Sequence, residues 1–244
     1  MLLSLILVVG SLAACEDNGT PIKSDVYVAN VEIEFATNDD AMKAAVDAMN
    51  GSGAPVYVSG EDMRIETSAE LNGISLSDSY VYFGGTLYHE NRLTVDGKTS
   101  VTLEKASMSE ENRQQLLSDV GAGASIEPDD FGVQEKDGDD VNCIYTCSSI
   151  TSQAKDSLQA IFASKFSGLN ATVELTGAEF TLETENGVNM HSSLSCHFVI
   201  TMNGRSYEIT MHINTDYDYE TSFGISAPTD PSAFKQVSYD EIIK

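Results

Sequence analysis

Apolar and polar residues alternate along much of this chain, and the period of the alternation changes where the elements change. From Val26 to Phe35, Val31, Ile33 and Phe35 are separated by Glu32 and Glu34, the period-two pattern of a strand with one buried face. Beyond Asn38, Asp39 and Asp40, which are helix-start residues, Met42, Ala45, Val46 and Met49 recur at i, i+3, i+4 and i+7 and form one apolar helix face. The same succession returns later. Val141 to Ile150 reads as a strand, and adding 116 to positions 42, 45 and 46 lands on Leu158, Ile161 and Phe162, the apolar face of a second helix that extends to Phe166. Ser59 to Thr67 matches Thr176 to Thr184 at an offset of 117, both with period-two alternation. Glycine turns at Gly84-Gly85 and Asn203-Gly204, each between two strands, match at an offset of 119.

An offset that drifts slowly across several elements is what a duplicated unit with small insertions produces. The chain accordingly divides into a leader at residues 1–14, a tether at 15–24, a first unit at 25–107, a helix and linker at 108–139 and a second unit at 140–244. The linker section holds a helical pattern from Ser109 to Val120, ended by Gly121. Each unit reads as β-α-β-β-β-β. The expected fold class is α+β: an antiparallel curved sheet, a half-barrel, covered by helices.

Composition narrows what such a sheet can meet. Of 244 residues, 41% are hydrophobic, enough for an ordinary core. Thirteen basic residues against thirty-eight acidic ones leave a net charge of -25, which repels phosphate backbones and excludes nucleic acid as a partner. The acidity is spread along the chain, as a solvated exterior requires.

The leader is an uncharged apolar run too short to cross a bilayer as a helix. It lacks the usual basic residue before the run and ends in Leu12-Ala13-Ala14-Cys15, similar to the lipobox of exported bacterial lipoproteins. Lipid on Cys15 then anchors the chain at the extracytoplasmic face of the cell membrane, and Glu16 to Pro21 supply a polar tether. Three other cysteines remain. Cys143 and Cys147 lie roughly 13 Å apart along one strand, too far to bridge, so either would pair with Cys196 on a neighbouring strand; Cys147 with Cys196 is the candidate disulfide.

A slot between sheet and helices would be lined by Met42, Val46 and Met49 from one helix and Leu158, Ile161, Phe162 and Phe166 from the other. With Tyr80-Val-Tyr-Phe-Gly-Gly-Thr-Leu-Tyr88 and the closing Ile225-Ser-Ala-Pro-Thr-Asp230, the chain resembles the LolA/LppX-like half-barrel lipoproteins, the Firmicutes-type ones in particular. The resemblance implies carriage of a lipid or other apolar molecule in the half-barrel, with no catalytic residues and no cofactor.

No nucleophile elbow, phosphate-binding loop, H-E-x-x-H or C-x-x-C occurs. His89, His191, His197 and His212 lack metal-ligand spacing, and Asp137, Asp139 and Asp140 lack the later bidentate Glu of a calcium loop. The expected function is a membrane-anchored, non-enzymatic lipoprotein that binds a lipid or other apolar ligand. The alternative is a protein-interaction module of two cystatin-like units whose hairpins protrude, and a hydrolase with an unfamiliar pocket is a third reading.

Overall fold

The computed structural model describes residues 26–47, 52–71, 74–109, 112, 126–166, 171–219 and 223–242. The expected leader with Cys15, the tether, Met49 and most of the 109–120 helix lie outside the described residues, as do the side chains of Ile161 and Phe166.

The first half of the chain forms β1 (Val26–Thr37), α1 (Asp40–Asp47), β2 (Ser52–Ser59), β3 (Asp62–Leu71), β4 (Ile74–Phe83), β5 (Thr86–Val95) and β6 (Lys98–Ser107). The second forms β7 (Phe131–Gly138), β8 (Cys143–Ile150), α2 (Ser152–Phe166), β9 (Thr172–Glu185), β10 (Val188–Met202) and β11 (Arg205–Asp218). A closing segment adds β12 (Lys235–Gln236) and α3 (Tyr239–Ile242).

All twelve strands join one sheet in the order β12-β6-β5-β4-β3-β2-β1-β11-β10-β9-β8-β7, curved and not closed into a barrel. Every pairing is antiparallel except β12 on β6, so the sheet is mixed. Each half is a meander, and the seam between them is β1 against β11, in register from Val28↔Asp218 to Thr37↔Ile209.

This corrects the expected α+β class. The chain is one large mixed sheet with three short helices among the described residues, not a sheet covered by helices. The dimensions explain why. Twelve strands spaced at about 4.8 Å span roughly 50 Å, whereas the fifteen residues of α2 reach about 22 Å and the eight of α1 about 12 Å. The repeat is also unequal: five strands follow α1 before the linker section, but only three long strands and the two-residue β12 follow α2. Ser59 to Thr67 contains the turn between β2 and β3, with Gly60 at φ 62°, whereas Thr176 to Thr184 runs on within β9 past a register irregularity opposite His197 and Phe198. One pattern thus gives a hairpin in one half and a bulged continuous strand in the other.

The core lies on one face of the sheet. Val31, Ile33 and Phe35 of β1 point into it, as do Leu175, Phe180 and Leu182 of β9, Leu194 and Phe198 of β10, and Met211 and Ile213 of β11. α1 begins where Asp39 Oδ1 accepts the Ala41 N–H at 2.8 Å, the side-chain cap its acidic start predicts. α2 packs on β9, with the Phe162 ring 4.2 Å from that of Phe198. Because β8 pairs β9 only from Cys143↔Thr184 to Cys147↔Phe180, the first half of β9 lacks a neighbour on that side. There Gln159 of α2 accepts the Leu175 N–H at 3.0 Å.

Candidate functional site

The residues expected to line a slot divide between packed core and undescribed positions. Val46, Leu158 and Phe162 are fully buried in the core cluster, and Met42 is half-buried against it. The candidate disulfide is not made: Cys143, Cys147 and Cys196 are all free and buried. Register gives the reason, since β9 lies between β8 and β10, with Cys147 opposite Phe180 and Cys196 opposite Ala178. Two strand spacings put Cys147 and Cys196 at least about 9 Å apart, beyond the reach of a disulfide. Burial pushes the Cys196 thiol up to about 12.

The other sequence candidates are occupied by local structure. Asp139 Oδ1 accepts the N–H groups of Asn142 and Val141, which hold its carboxyl below the usual range, and Asp140 pairs with Lys136 at 2.6 Å. His191 meets Asp216 at 2.7 Å, and His197 meets Thr210 at 3.3 Å. No group of three metal-ligating side chains occurs among the described residues.

A different cluster emerges on the core face of the first half. The β4–β5 register sets Tyr80 opposite His89 and Asp78 opposite Asn91, and positions two apart share a face. Asp78 Oδ1 accepts from His89 Nε2 and from Asn91 Nδ2, both at 2.8 Å. Burial alone would raise the Asp78 carboxyl, but those two hydrogen bonds and the attraction of His89 hold it below the usual carboxylate range. An ionised Asp78 assigns the proton to Nε2 and, in the neutral ring, leaves Nδ1 as an acceptor. Tyr80 stacks on the imidazole at 4.4 Å and 8°; its hydroxyl is pushed above its usual range by burial and then by the Asp78 charge.

His89 is 8% exposed, and its buried Nδ1 has no hydrogen-bond partner. No hydroxyl or thiol of the described residues bonds it, so the pair has the base and orienting acid of a triad without a nucleophile. What the arrangement can do is hold one proton in place and offer one acceptor. The sequence signal for it was the parity of Leu87, His89 and Asn91 with Asp78, Tyr80 and Tyr82 across the Gly84-Gly85 turn, legible only once the turn sets the register.

Farther along the same two strands the same face is apolar and largely exposed. Ile74 lies opposite Val95 and Leu76 opposite Leu93, with Ile74 45%, Val95 38% and Leu93 37% exposed. Leu93 stands four residues from His89, roughly 13 Å away. No protein-family model matches the chain, and no curated protein matches its sequence.

Proposed function

We propose that this protein is an exported, lipid-anchored binding protein that takes an amphiphilic molecule on the core face of β4 and β5, without catalysing a reaction on it. The observation that carries the proposal is the adjacency of an apolar patch, exposed at Ile74, Leu93 and Val95 and half-buried at Leu76, to a polar cluster whose His89 Nδ1 lacks a partner. Exposed apolar side chains gathered on one face favour an apolar guest, and the polar cluster favours a head group that donates a hydrogen bond. A net charge of -25 disfavours an anionic head. The anchor rests on Leu12 to Cys15, and the half-barrel resemblance supports the same class of guest.

Organic extraction and mass spectrometry of Cys15→Ser protein, purified from the cell envelope without its own lipid, test this reading. The expected extract holds an uncharged or cationic amphiphile that Leu93→Asp protein fails to retain; an empty extract overturns the proposal.

The protein-interaction alternative is favoured by one observation. β7 is an edge strand exposed along all but its first residue, with Val133 47% exposed. The hairpin tips do not help it: Gly84, Asn203, Gly204 and Arg205 present no apolar side chain.

A further inference from the structure

On the opposite, outer face of the same strands the closing segment crosses the sheet as a strap. The Phe223 ring packs edge-on against Tyr57 of β2 and the Phe234 ring against Tyr88 of β5, each at 5.4 Å. Lys105 of β6 donates to the Pro231 carbonyl at 2.7 Å, and β12 then pairs with β6. α3 carries Tyr239 and Ile242 into the core beyond that edge. Between its two aromatic anchors the strap roofs a cavity of about 290 Å³ lined by Arg64, Glu66, Ser79, Tyr88 and Glu90 from the sheet and by Gly224 to Thr229 above.

Three properties of this cavity bear on what would fill it. Arg64 is its one lysine or arginine; the guanidinium carbon is held 4.2 Å above the Tyr57 ring, and the buried Nε has no hydrogen-bond partner. Glu66 is 3.7 Å from that Nε, too far to accept its proton, while Glu90 is bound by Arg92 outside the cavity. The strap backbone from Gly224 to Thr229 makes no hydrogen bond among the described residues. A donor of one sign, a carboxylate of the other and a run of free peptide groups thus surround apolar surface from Val81, Ile225, Pro228 and Phe234. The volume lies at the low end of small-molecule sites, roughly 300–1,000 Å³.

We infer that this cavity binds a free α-amino acid with an apolar side chain, its carboxylate on Arg64 and its ammonium toward Glu66. A carboxylate gives the buried Arg64 Nε its acceptor, the stacked guanidinium presents a planar fork to it, and Glu66 matches the opposite end. The pairing of signs selects a zwitterion over a simple acid or amine. This site and the amphiphile site lie on opposite faces, so each stands or falls alone.

Calorimetric titration of the purified protein with leucine, methionine and phenylalanine tests the inference, with leucinamide and 4-methylpentanoate as partners lacking one charge each. At least one of the three amino acids is expected to bind, and the two single-charge analogues at least about tenfold more weakly than leucine where leucine binds. Arg64→Gln and Glu66→Gln should each weaken the binding about tenfold or more while leaving the melting temperature within a few degrees. No binding of any of the three up to about 10 mM, or equal binding by the Arg64→Gln protein, overturns the inference.

Discussion

The two halves of the sheet use one alternation to opposite ends. In β9, β10, β11 and β1 the inward positions are almost all apolar and buried, and α1 and α2 lie against them. In β4 and β5 the inward positions pass from Tyr82 and Leu87 to an Asp–His–Asn cluster and then to half-buried Leu76 and exposed Ile74, Leu93 and Val95. The fully buried exceptions in the first group are Ser192 and Thr215, a cross-strand pair whose hydroxyls have no partners. One half has the packing of a scaffold, and the other leaves polar and apolar groups unspent. A protein that binds something is under no pressure to satisfy in isolation the groups its ligand will satisfy.

The sharpest break in that comparison comes from truncating one leucine in each half. Leu158→Ala, beneath α2, should cost about 3 kcal/mol in urea unfolding, because it opens a void in close-packed core. Leu93→Ala should cost no more than about 0.5 kcal/mol. Equal losses would mean that the β4–β5 patch is core after all.

A middle-sized effect belongs to the polar cluster. Asp78→Asn replaces an ionised acceptor and should cost about 1–2 kcal/mol at neutral pH. The folded carboxyl titrates below its ordinary value of 3.8, so its contribution is present above that value and disappears as pH falls through the lower, folded one. The stability gap between wild type and Asp78→Asn should therefore shrink in acid below about pH 4, and a gap constant to pH 2 would contradict the assignment. The smallest effect concerns the thiols. Adding reductant should leave the melting temperature unchanged, since Cys143, Cys147 and Cys196 are free, and a fall of several degrees would show a bridge.

Much of the local structure was legible in the sequence. Val31, Ile33 and Phe35 are buried as their spacing from Glu32 and Glu34 requires, and Val46, Leu158 and Phe162 are the inward helix residues their periodicity selects. These features depend on neighbours within a turn or two. A curved sheet shared by the two units was expected, but the seam that joins them was not legible, because β1 finds β11 across most of the chain and alternation specifies a face without naming a partner. The expected disulfide failed for the same reason, since the parity of Cys147 and Cys196 agrees while β9 stands between them. The predicted helical cover failed on proportion: helix patterns were read correctly at α1 and α2, but the number of strands they had to cover depended on the seam. The His89 cluster was hidden differently. Search for metal spacing or catalytic motifs treats each residue by its place in the chain, whereas Asp78 and His89 are neighbours only across a hairpin.

The β1–β11 seam also constrains the order in which the molecule can assemble. A chain that emerges N-terminus first, from a ribosome or from an export channel, frees β1 first, and β2 to β6 can zip beside it as a local meander before the rest has emerged. The other edge of β1 then waits for a strand that begins at Arg205. Until that strand arrives, the half-finished sheet carries a twelve-residue open edge rich in valine, isoleucine and phenylalanine, the kind of template on which chains stick to one another. Closing the seam is thus the late, long-range step of folding, and the interval before it is when this protein is most vulnerable to aggregation.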